Sequence, residues 1–183
     1  MKLPTIALRR GRHRARHPAD LPVRRESWKD RVAKEDIRIE RFSQGDEEDL
    51  VELLSQAKLP TQDLTLEKLK HFLFAKGMEG SVIGAIGVEL YQDVGLLRSL
   101  VVHPTYRGKG LGRRLTREAE SFAQQKSIKT LFLLTTTAAE FFPRLGYQVI
   151  QRDRAPASIA KTEEFKNICP VSAVCLSKNL EPA

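Results

Sequence analysis

The feature that most constrains the fold is an apolar strand followed by a glycine-rich turn and then a helix. Residues 94–102 (Val-Gly-Leu-Leu-Arg-Ser-Leu-Val-Val) are mostly apolar, which is typical of a strand buried on both faces. Pro104 cannot donate to a sheet and predicts the end of this strand. The turn Arg-Gly-Lys-Gly-Leu-Gly follows at 107–112. Apolar residues then recur at helical spacing: Leu111, Leu115, Ala119 and Phe122.

This arrangement favours an anion at the start of the helix. The first backbone N–H groups of a helix lack partners within it, and the peptide dipoles place partial positive charge there. Glycines at 108, 110 and 112 leave these amides accessible, so we predict a phosphate or pyrophosphate ligand. The alternative is an ordinary glycine-rich connection with surface charges. The spacing fits neither a Walker loop nor a dinucleotide-binding loop. Basic residues surround the turn: Arg107, Lys109, Arg113 and Arg114.

The same residues resemble the acyl-coenzyme A loop of the GNAT acetyltransferases. That loop has the pattern Arg/Gln-x-x-Gly-x-Gly/Ala and follows a strand ending in Val-x-Pro. Arg107, Gly110 and Gly112 match the loop, and residues 100–104 (Leu-Val-Val-His-Pro) match the strand. The resemblance implies that the strand backbone bonds the pantetheine arm of CoA and that the loop holds its pyrophosphate. The residues implied are Leu100, Val101, Val102, Arg107, Gly108, Lys109, Gly110, Leu111, Gly112 and Arg113.

The order of elements predicts an α/β fold, a GNAT-like mixed and mostly antiparallel sheet flanked by helices. One parallel crossover is expected, from strand 94–102 through helix 111–126 to strand 130–136. Ser43 or Asp46 is predicted to cap the first helix. N-terminal to the crossover, the predicted elements are a strand over 37–42, a helix through Leu50, Leu53, Leu54 and Ala57, a short helix over 66–70 and a hairpin of 71–76 and 81–91. The second strand of this hairpin is predicted to have Val82, Ile86, Val88 and Leu90 on one face. C-terminal to the crossover, the predicted elements are a short helix over 138–145, a strand over 147–151, a helical segment over 159–163 and a last strand over 172–177.

A second resemblance covers residues 131–147, Leu-Phe-Leu-Leu-Thr-Thr-Thr-Ala-Ala-Glu-Phe-Phe-Pro-Arg-Leu-Gly-Tyr. This stretch is similar to the acetyltransferase domain of N-acetylglutamate synthases. It is still more similar to arsenic-resistance N-acetyltransferases, whose tail resembles residues 162–165 (Thr-Glu-Glu-Phe) and 169–173 (Cys-Pro-x-Ser-Ala). The resemblance implies acetyl transfer from acetyl-CoA to the amine of a small amino-acid-like molecule, with Thr135 and Thr136 lining the cleft. Phe142 stands where many GNAT enzymes have a tyrosine thought to protonate the leaving thiolate, so the general acid is unassigned.

Glu89 and Arg98 are the candidate residues for the chemistry at the acceptor. If Gln92 and Asp93 form a two-residue turn, Glu89 faces Leu96 and lies diagonally across from Arg98. An ammonium group must lose a proton before it attacks a thioester, and Glu89 is the candidate base. Arg98 is the candidate anchor for a substrate carboxylate. The alternative is a cross-strand ion pair without a catalytic role.

Charge divides the chain into two predicted regions. Residues 1–34 hold 11 Lys/Arg against 3 Asp/Glu, whereas residues 35–183 hold 20 of each, so the whole net charge of +8 belongs to the first region. We predict a disordered basic extension over 1–34 and one acetyltransferase domain over 35–183. The neutral domain makes nucleic-acid binding an unlikely function. An organellar transit peptide and a functionless upstream extension are the alternatives for residues 1–34.

The remaining predictions concern compartment and partners. No apolar run approaches the roughly 18 residues of a membrane span, so a soluble cytoplasmic protein without a membrane partner is expected. Cys169 and Cys175 are predicted to be reduced, and no metal site is expected. The partners expected are acetyl-CoA and a small amine, with a homodimer kept open. Two other functions are weighed, a non-catalytic acyl-CoA-binding regulatory module and a protein N-acetyltransferase.

Overall fold

The computed structural model of the protein describes residues 37–78 and 80–180. The predicted basic extension, residues 1–34, lies outside the described residues. A seven-stranded sheet in the order β1-β2-β3-β4-β5-β7-β6 forms the centre of the fold. The strands are β1 Arg38–Arg41, β2 Phe72–Lys76, β3 Val82–Tyr91, β4 Val94–Val102, β5 Thr130–Thr135, β6 Gln148–Ile150 and β7 Val174–Asn179. The α-helices are α1 Asp46–Gln56, α2 Leu66–Leu69, α3 Leu111–Gln125 and α4 Ala157–Ala160.

The predicted fold class is confirmed. Among the described strands, only the pair β4 and β5 is parallel, and α3 connects these two strands as expected. All the other strand pairs in the described sheet are antiparallel. No helix in the described part of the chain is long and apolar enough to cross a bilayer.

The helices cover the sheet because each has an apolar stripe. Leu115 and Ala119 of α3 are fully buried against one face of the sheet. Leu50 and Leu54 of α1 are fully buried with Phe74 in a second cluster. A third cluster, around Leu96, Phe132 and Ile159, lies under α4 and the π-helical turn Glu164–Ile168. The recurrence of Leu and Ala at helical spacing, read from the sequence, therefore identified the core-facing sides of the longer helices.

The β3–β4 hairpin has the register predicted from its turn. Tyr91 pairs with Val94, and Glu89 pairs with Leu96. Gln92 at the turn has φ 55°, a left-handed conformation that such tight turns require. A register shift then inserts one residue into β4 between the partners of Ala85 and Gly87, where Ser99 has φ 55°. This bulge separates Arg98 from the last three residues of the strand.

Three local predictions are wrong: the face of Val82, the cap of α1 and the helix over 138–145. Val82 does not share a face with Ile86 and Val88. A bulge in β3 between the partners of Ala75 and Lys76 reverses the alternation, so Val82 lies in the second cluster, with Leu50 and Leu54 of α1. Neither Ser43 nor Asp46 caps α1, since its N-cap is Gly45 at φ 101° without a side-chain bond.

The predicted helix over 138–145 is only a 3₁₀ turn, Phe142–Leu145, which ends at Gly146 with φ 90°. Pro143 accounts for part of this difference, since it lacks the N–H that would continue a regular helix N-terminal to it. The glycine that ends the turn was correctly placed.

Candidate active site

Strand β4 parts from β5 halfway along its length. The two strands pair only from Val94 opposite Thr130 to Leu96 opposite Phe132. Beyond Leu96, β5 continues along β7, and β4 continues along β3. The second half of β4 therefore has a neighbouring strand on one side only. Residues 100–102, for which the family resemblance implied backbone contacts with a ligand, lie beside a cleft on this side, where the Val102 carbonyl accepts from the Arg107 Nε at 2.8 Å.

The glycine-rich turn opens into this cleft. Gly108 and Gly110 have φ 75° and 83°, left-handed values that favour glycine. A Cβ on Gly108 would meet no atom within 4 Å, so nothing in the described chain covers the turn there. Gly110 is the N-cap of α3 and provides no side-chain bond, and the first turn contains no acidic residue. The first amides of α3 consequently face the cleft with their positive end uncompensated.

The cleft is a cavity of about 1100 Å³ between β4, the glycine-rich turn and the segment after β5. Its size is slightly above the roughly 300–1,000 Å³ that is typical of small-molecule and cofactor sites. Most of the residues predicted to bind CoA line it. They are Leu100, Val101, Val102, Arg107, Gly108, Gly110, Leu111, Gly112 and Arg113.

Some residues predicted to surround the cleft point elsewhere. Lys109 lies with its Nζ 5.2 Å from the centre of the Tyr106 ring and is not part of the cavity wall. Arg114 donates to the carbonyl of Ile37 at 2.8 Å, on the other side of α3. Thr136 lines the cavity, but the Thr135 hydroxyl accepts the backbone N–H of Ala138 at 3.0 Å and shapes the following turn.

Arg144 is a wall residue that sequence analysis missed. It belongs to the 3₁₀ turn after β5, whose neighbour Phe141 lies 3.6 Å from the position of a Cβ on Gly112. This packing places the turn against the start of α3. Among the described residues, neither Arg144 nor Arg113 has an ion-pair or hydrogen-bond partner, and both line the cavity. Two arginines thus leave their charge available to an anion.

Arg98 is the centre of a buried group of charges, which we call the Arg98 cluster. Its guanidinium forks onto Asp63, with Nη2 donating to Oδ1 at 2.7 Å and Nη1 donating to Oδ2. Nη1 also donates to Glu89 at 2.6 Å, and Nη2 lies 3.2 Å from a carboxylate oxygen of Glu164. Lys68 and Tyr91 complete the cluster. Three carboxylates face two cations, so the cluster carries a net negative charge.

Both oxygens of Glu89 are engaged within this cluster. Its Oε1 accepts from Arg98 at 2.6 Å and lies 3.0 Å from the Lys68 Nζ, while its Oε2 accepts from the Tyr91 hydroxyl. The side chain of Arg98 is 1% exposed and that of Glu89 is 7% exposed, whereas Lys68 is 26% exposed. Lys68 is therefore the cation that faces solvent.

The hydrogen bonds of the cluster keep Asp63 and Glu89 ionised. Burial raises the pKa of Asp63, but bonds from Arg98 and Lys68 outweigh burial and lower the pKa to about 2. Burial likewise opposes ionisation of Glu89, and bonds from Tyr91, Arg98 and Lys68 lower its pKa below the usual value. At neutral pH, Glu89 is a carboxylate that can accept a proton.

The prediction that Arg98 anchors a substrate carboxylate needs correction. Its fork already holds Asp63, and its side chain is 1% exposed, so a substrate carboxylate would have to displace an internal one. The cross-strand contact between Arg98 and Glu89, given above as the alternative, is present. Asp63, Lys68 and Glu164 could not be found from hairpin geometry, because they come from segments far from β3 and β4 in the sequence.

Phe142 and the cysteines behave largely as the sequence suggested. Phe142 is 5% exposed and packs edge-on against Tyr147. The Tyr147 ring is also buried, in the same cluster as Leu115 and Ala119 of α3. Cys169 and Cys175 are free thiols. Burial and the nearby Glu164 carboxylate raise the pKa of Cys169 to about 12. Such a thiol is inert at neutral pH.

Comparison with known proteins agrees with this geometry. Residues 68–149 match the family model described as an acetyltransferase (GNAT) domain. An N-acetyltransferase of Chlorobaculum tepidum, described as uncharacterized, is 33% identical over 111 residues, which span 60% of this chain and 68% of that protein. The chain belongs to the GNAT family and is an acyltransferase of the N-acetyltransferase class.

Two further similarities concern larger proteins. An amino-acid acetyltransferase of Pseudomonas fluorescens is 36% identical over 92 residues, 48% of this chain and 21% of that protein. The N-acetylglutamate synthase of Neisseria gonorrhoeae, solved with coenzyme A and N-acetyl-glutamate, superposes with a TM-score of 0.69 at 21% identity. That superposition covers 80% of this chain and 35% of the synthase, and it shows a shared fold. This chain thus spans about a fifth of the amino-acid acetyltransferase that it matches.

Proposed function

We propose that this protein transfers the acetyl group of acetyl-CoA to the primary amine of a small amino acid or amino-acid analogue. The observation that carries the proposal is the uncovered glycine-rich turn at the start of α3, beside a strand half that has lost its neighbour. The similarity to an amino-acid acetyltransferase supports the acceptor class. The superposition on a synthase solved with coenzyme A and N-acetyl-glutamate supports the donor.

The cavity has suitable places for the pyrophosphate and the pantetheine arm of CoA. The amides that begin α3, with Gly108 and Gly110, are suited to the pyrophosphate, because no atom lies within 4 Å of a Cβ position on Gly108 and the atom nearest to one on Gly110 is the Arg113 Nη2, at 3.5 Å. Arg113 and Arg144 would neutralise phosphate charge from two sides. The backbone edge of β4 at Leu100 and Val101 would bond the amide groups of pantetheine in the manner of an added strand, since the Val102 carbonyl already accepts from the Arg107 Nε at 2.8 Å.

Glu89 is the proposed base. The amine nitrogen attacks the carbonyl carbon of the thioester, the carbon–sulfur bond breaks, and the products are an amide and CoA. The nitrogen becomes strongly acidic once the carbon–nitrogen bond forms, so a carboxylate of low pKa such as Glu89 suffices to take its proton. Arg98 and Tyr91 hold the two oxygens of Glu89 and position it. Phe142 has no hydroxyl, so the thiolate takes its proton from water or from the amine.

The proposal is tested by following thiol release from acetyl-CoA with a panel of amino acids. The panel should include arsenic- and phosphorus-containing analogues, since an arsenic-resistance function stays a prediction. Glu89→Gln should lower kcat about a hundredfold while acetyl-CoA binding is kept. Glu120→Gln is the matched control, because Glu120 is another partly buried carboxylate, 2.7 Å from Lys178, and does not line the cavity. Saturable acetyl-CoA binding without turnover on the whole panel would contradict the proposal for this acceptor class.

The pH dependence gives a second check on Glu89. Its pKa is lowered from the ordinary glutamate value, so it is fully ionised throughout the neutral range. We expect kcat/KM to rise between about pH 6 and 9 as the amine of the acceptor loses its proton, with no loss that reflects protonation of Glu89. A decline of kcat/KM below pH 7 that disappears in Glu89→Gln would contradict this assignment.

The other sequence-based statements remain proposals of lower detail. We keep residues 35–183 as the catalytic domain and residues 1–34 as an accessory extension. A homodimer, a cytoplasmic location and the absence of a metal from the reaction also stay predictions. Removal of residues 1–34 should leave turnover unchanged.

A further inference from the structure

We propose that the ammonium group of Lys68 occupies the position of the acceptor amine and that the acceptor displaces it on binding. The inference deepens the proposed function and rests on it, because it takes Glu89 as the base. It concerns a specificity-determining residue. It also predicts what kind of acceptor the site takes, a primary ammonium group that can replace another one.

The argument begins with access to Glu89. A base must lie within hydrogen-bonding distance of the nitrogen whose proton it takes. Both carboxylate oxygens of Glu89 already have partners, namely Arg98 and Lys68 on Oε1 and Tyr91 on Oε2. Oε1 already faces two cations, so an amine can take that oxygen only if one of them leaves.

Lys68 is the partner suited to leave. Arg98 is 1% exposed and is fixed by Asp63 and Glu164 as well. Tyr91 is the last residue of β3, and its side chain has only two rotatable bonds before the hydroxyl. Lys68 is 26% exposed on a flexible chain, and α2, which carries it, is only four residues long. Movement of Lys68 requires no change in the sheet.

The chemistry at Lys68 matches that of the expected acceptor. Its Nζ lies 2.7 Å from a carboxylate oxygen of Asp63 and 3.0 Å from one of Glu89. A substrate ammonium could make the same two contacts. The cluster and the cleft share one segment, because the chain that leads from α1 to α2 lines the cavity with Ala57 and Leu59 and then provides Asp63.

Lys68 is held in its charged state. Burial disfavours its charge, but hydrogen bonds to Asp63 and Glu89 outweigh burial and raise its pKa above the usual value. The ammonium of Lys68 therefore balances the negative charge of the cluster in the absence of an acceptor.

Kinetics of two neutral variants test the proposal on whichever amino acid of the panel is turned over. Lys68→Met and Lys68→Gln remove the competing ammonium, so KM for the acceptor should fall about fivefold. KM for acetyl-CoA should stay unchanged. Lys70→Met is the matched control, because Lys70 lies on the same segment in an exposed pair with Glu67 at 2.6 Å. An unchanged or higher acceptor KM in both Lys68 variants, with both folded, would overturn the proposal and leave the proposed function standing.

A labelling experiment on the full chain needs no turnover. Trace acetylation with acetic anhydride, read by mass spectrometry, reports the reactivity of Lys68 relative to Lys70 in the same sample. Ethylammonium chloride should raise that ratio about fivefold, and tetramethylammonium chloride at equal ionic strength should not. An unchanged ratio with ethylammonium would overturn the proposal. Enzyme-dependent acetylation of Lys68 by acetyl-CoA alone would also overturn it, because Lys68 would then be an acceptor.

Discussion

The glycine-rich turn and the Arg98 cluster both adjoin strand β4, but they are assembled in different ways. The turn consists of consecutive residues, 107–112, and presents backbone amides to an open cavity. The cluster consists of side chains from five segments, between Asp63 and Glu164, and its central guanidinium is 1% exposed. The turn depends on local conformation, and the cluster depends on the complete tertiary structure. A donor site can thus be encoded locally, whereas the proposed acceptor site exists only in the folded domain.

The two regions also oppose each other in charge. The first turn of α3 has no acidic residue, and Arg113 and Arg144 face the same cavity. The Arg98 cluster has an excess of carboxylate. An anionic donor and a cationic acceptor would each be attracted to the correct region, which separates the two substrates along β4.

The sharpest test of this contrast is Arg98→Met. Removal of the guanidinium leaves three carboxylates together in a buried position, so the free energy of unfolding should fall by about 3 to 5 kcal/mol. Urea denaturation at neutral pH measures the loss. Arg38→Met is the control, since Arg38 is 65% exposed and 3.8 Å from Glu40, and we expect no measurable change there. Equal stability of both variants would contradict the view that the cluster depends on its arginine.

The sequence predicted the two regions to different extents, and the reason is physical. Left-handed conformations at Gly108 and Gly110 and the uncapped start of α3 follow from neighbouring residues, so a short motif sufficed. The contact of Glu89 with Arg98 also followed, because a two-residue turn fixes the register of a hairpin. Asp63 and Glu164 reach Arg98 through loops whose path no local pattern specifies. Without them, the sequence leaves two roles open for Arg98, a substrate anchor and an ion-pair partner of Glu89.

The same distinction explains the misplaced residues of the sheet. A bulge inserts one residue into a strand and reverses the side on which the following residues lie. Alternation alone did not reveal the bulge near Ile83, so Val82 was assigned to the wrong face. The missed wall residue Arg144 has a similar origin. Its place in the cleft depends on how Phe141 packs against Gly112, which is a contact between segments.

The next test compares two glycines in the same conformation. Gly110 and Gly45 are both left-handed N-caps, at φ 83° and 101°, and neither provides a side-chain bond. Valine at either position should strain the backbone and lower stability by about 1 to 2 kcal/mol. Gly110→Val should also weaken acetyl-CoA binding at least about tenfold, because the new side chain lies over the amides of α3. Calorimetric titration measures the affinity. If Gly45→Val weakens acetyl-CoA binding by a similar factor, the affinity follows the stability of the protein and not access to the amides of α3.

The smallest expected effect concerns Arg144, which tests whether the donor site is wholly local. If residues 107–113 alone bind the phosphates of CoA, Arg144→Ala should not alter affinity. If the wall after β5 contributes, one exposed charge on a phosphate is worth about 1 kcal/mol, so the Kd for acetyl-CoA should rise about fivefold. The dependence of affinity on salt should become weaker at the same time. Arg154→Ala is the matched control, since Arg154 is an exposed arginine in another 3₁₀ turn and does not line the cavity. We expect the fivefold change, because Arg144 has no partner in the described chain while Phe141 holds its turn against the start of α3.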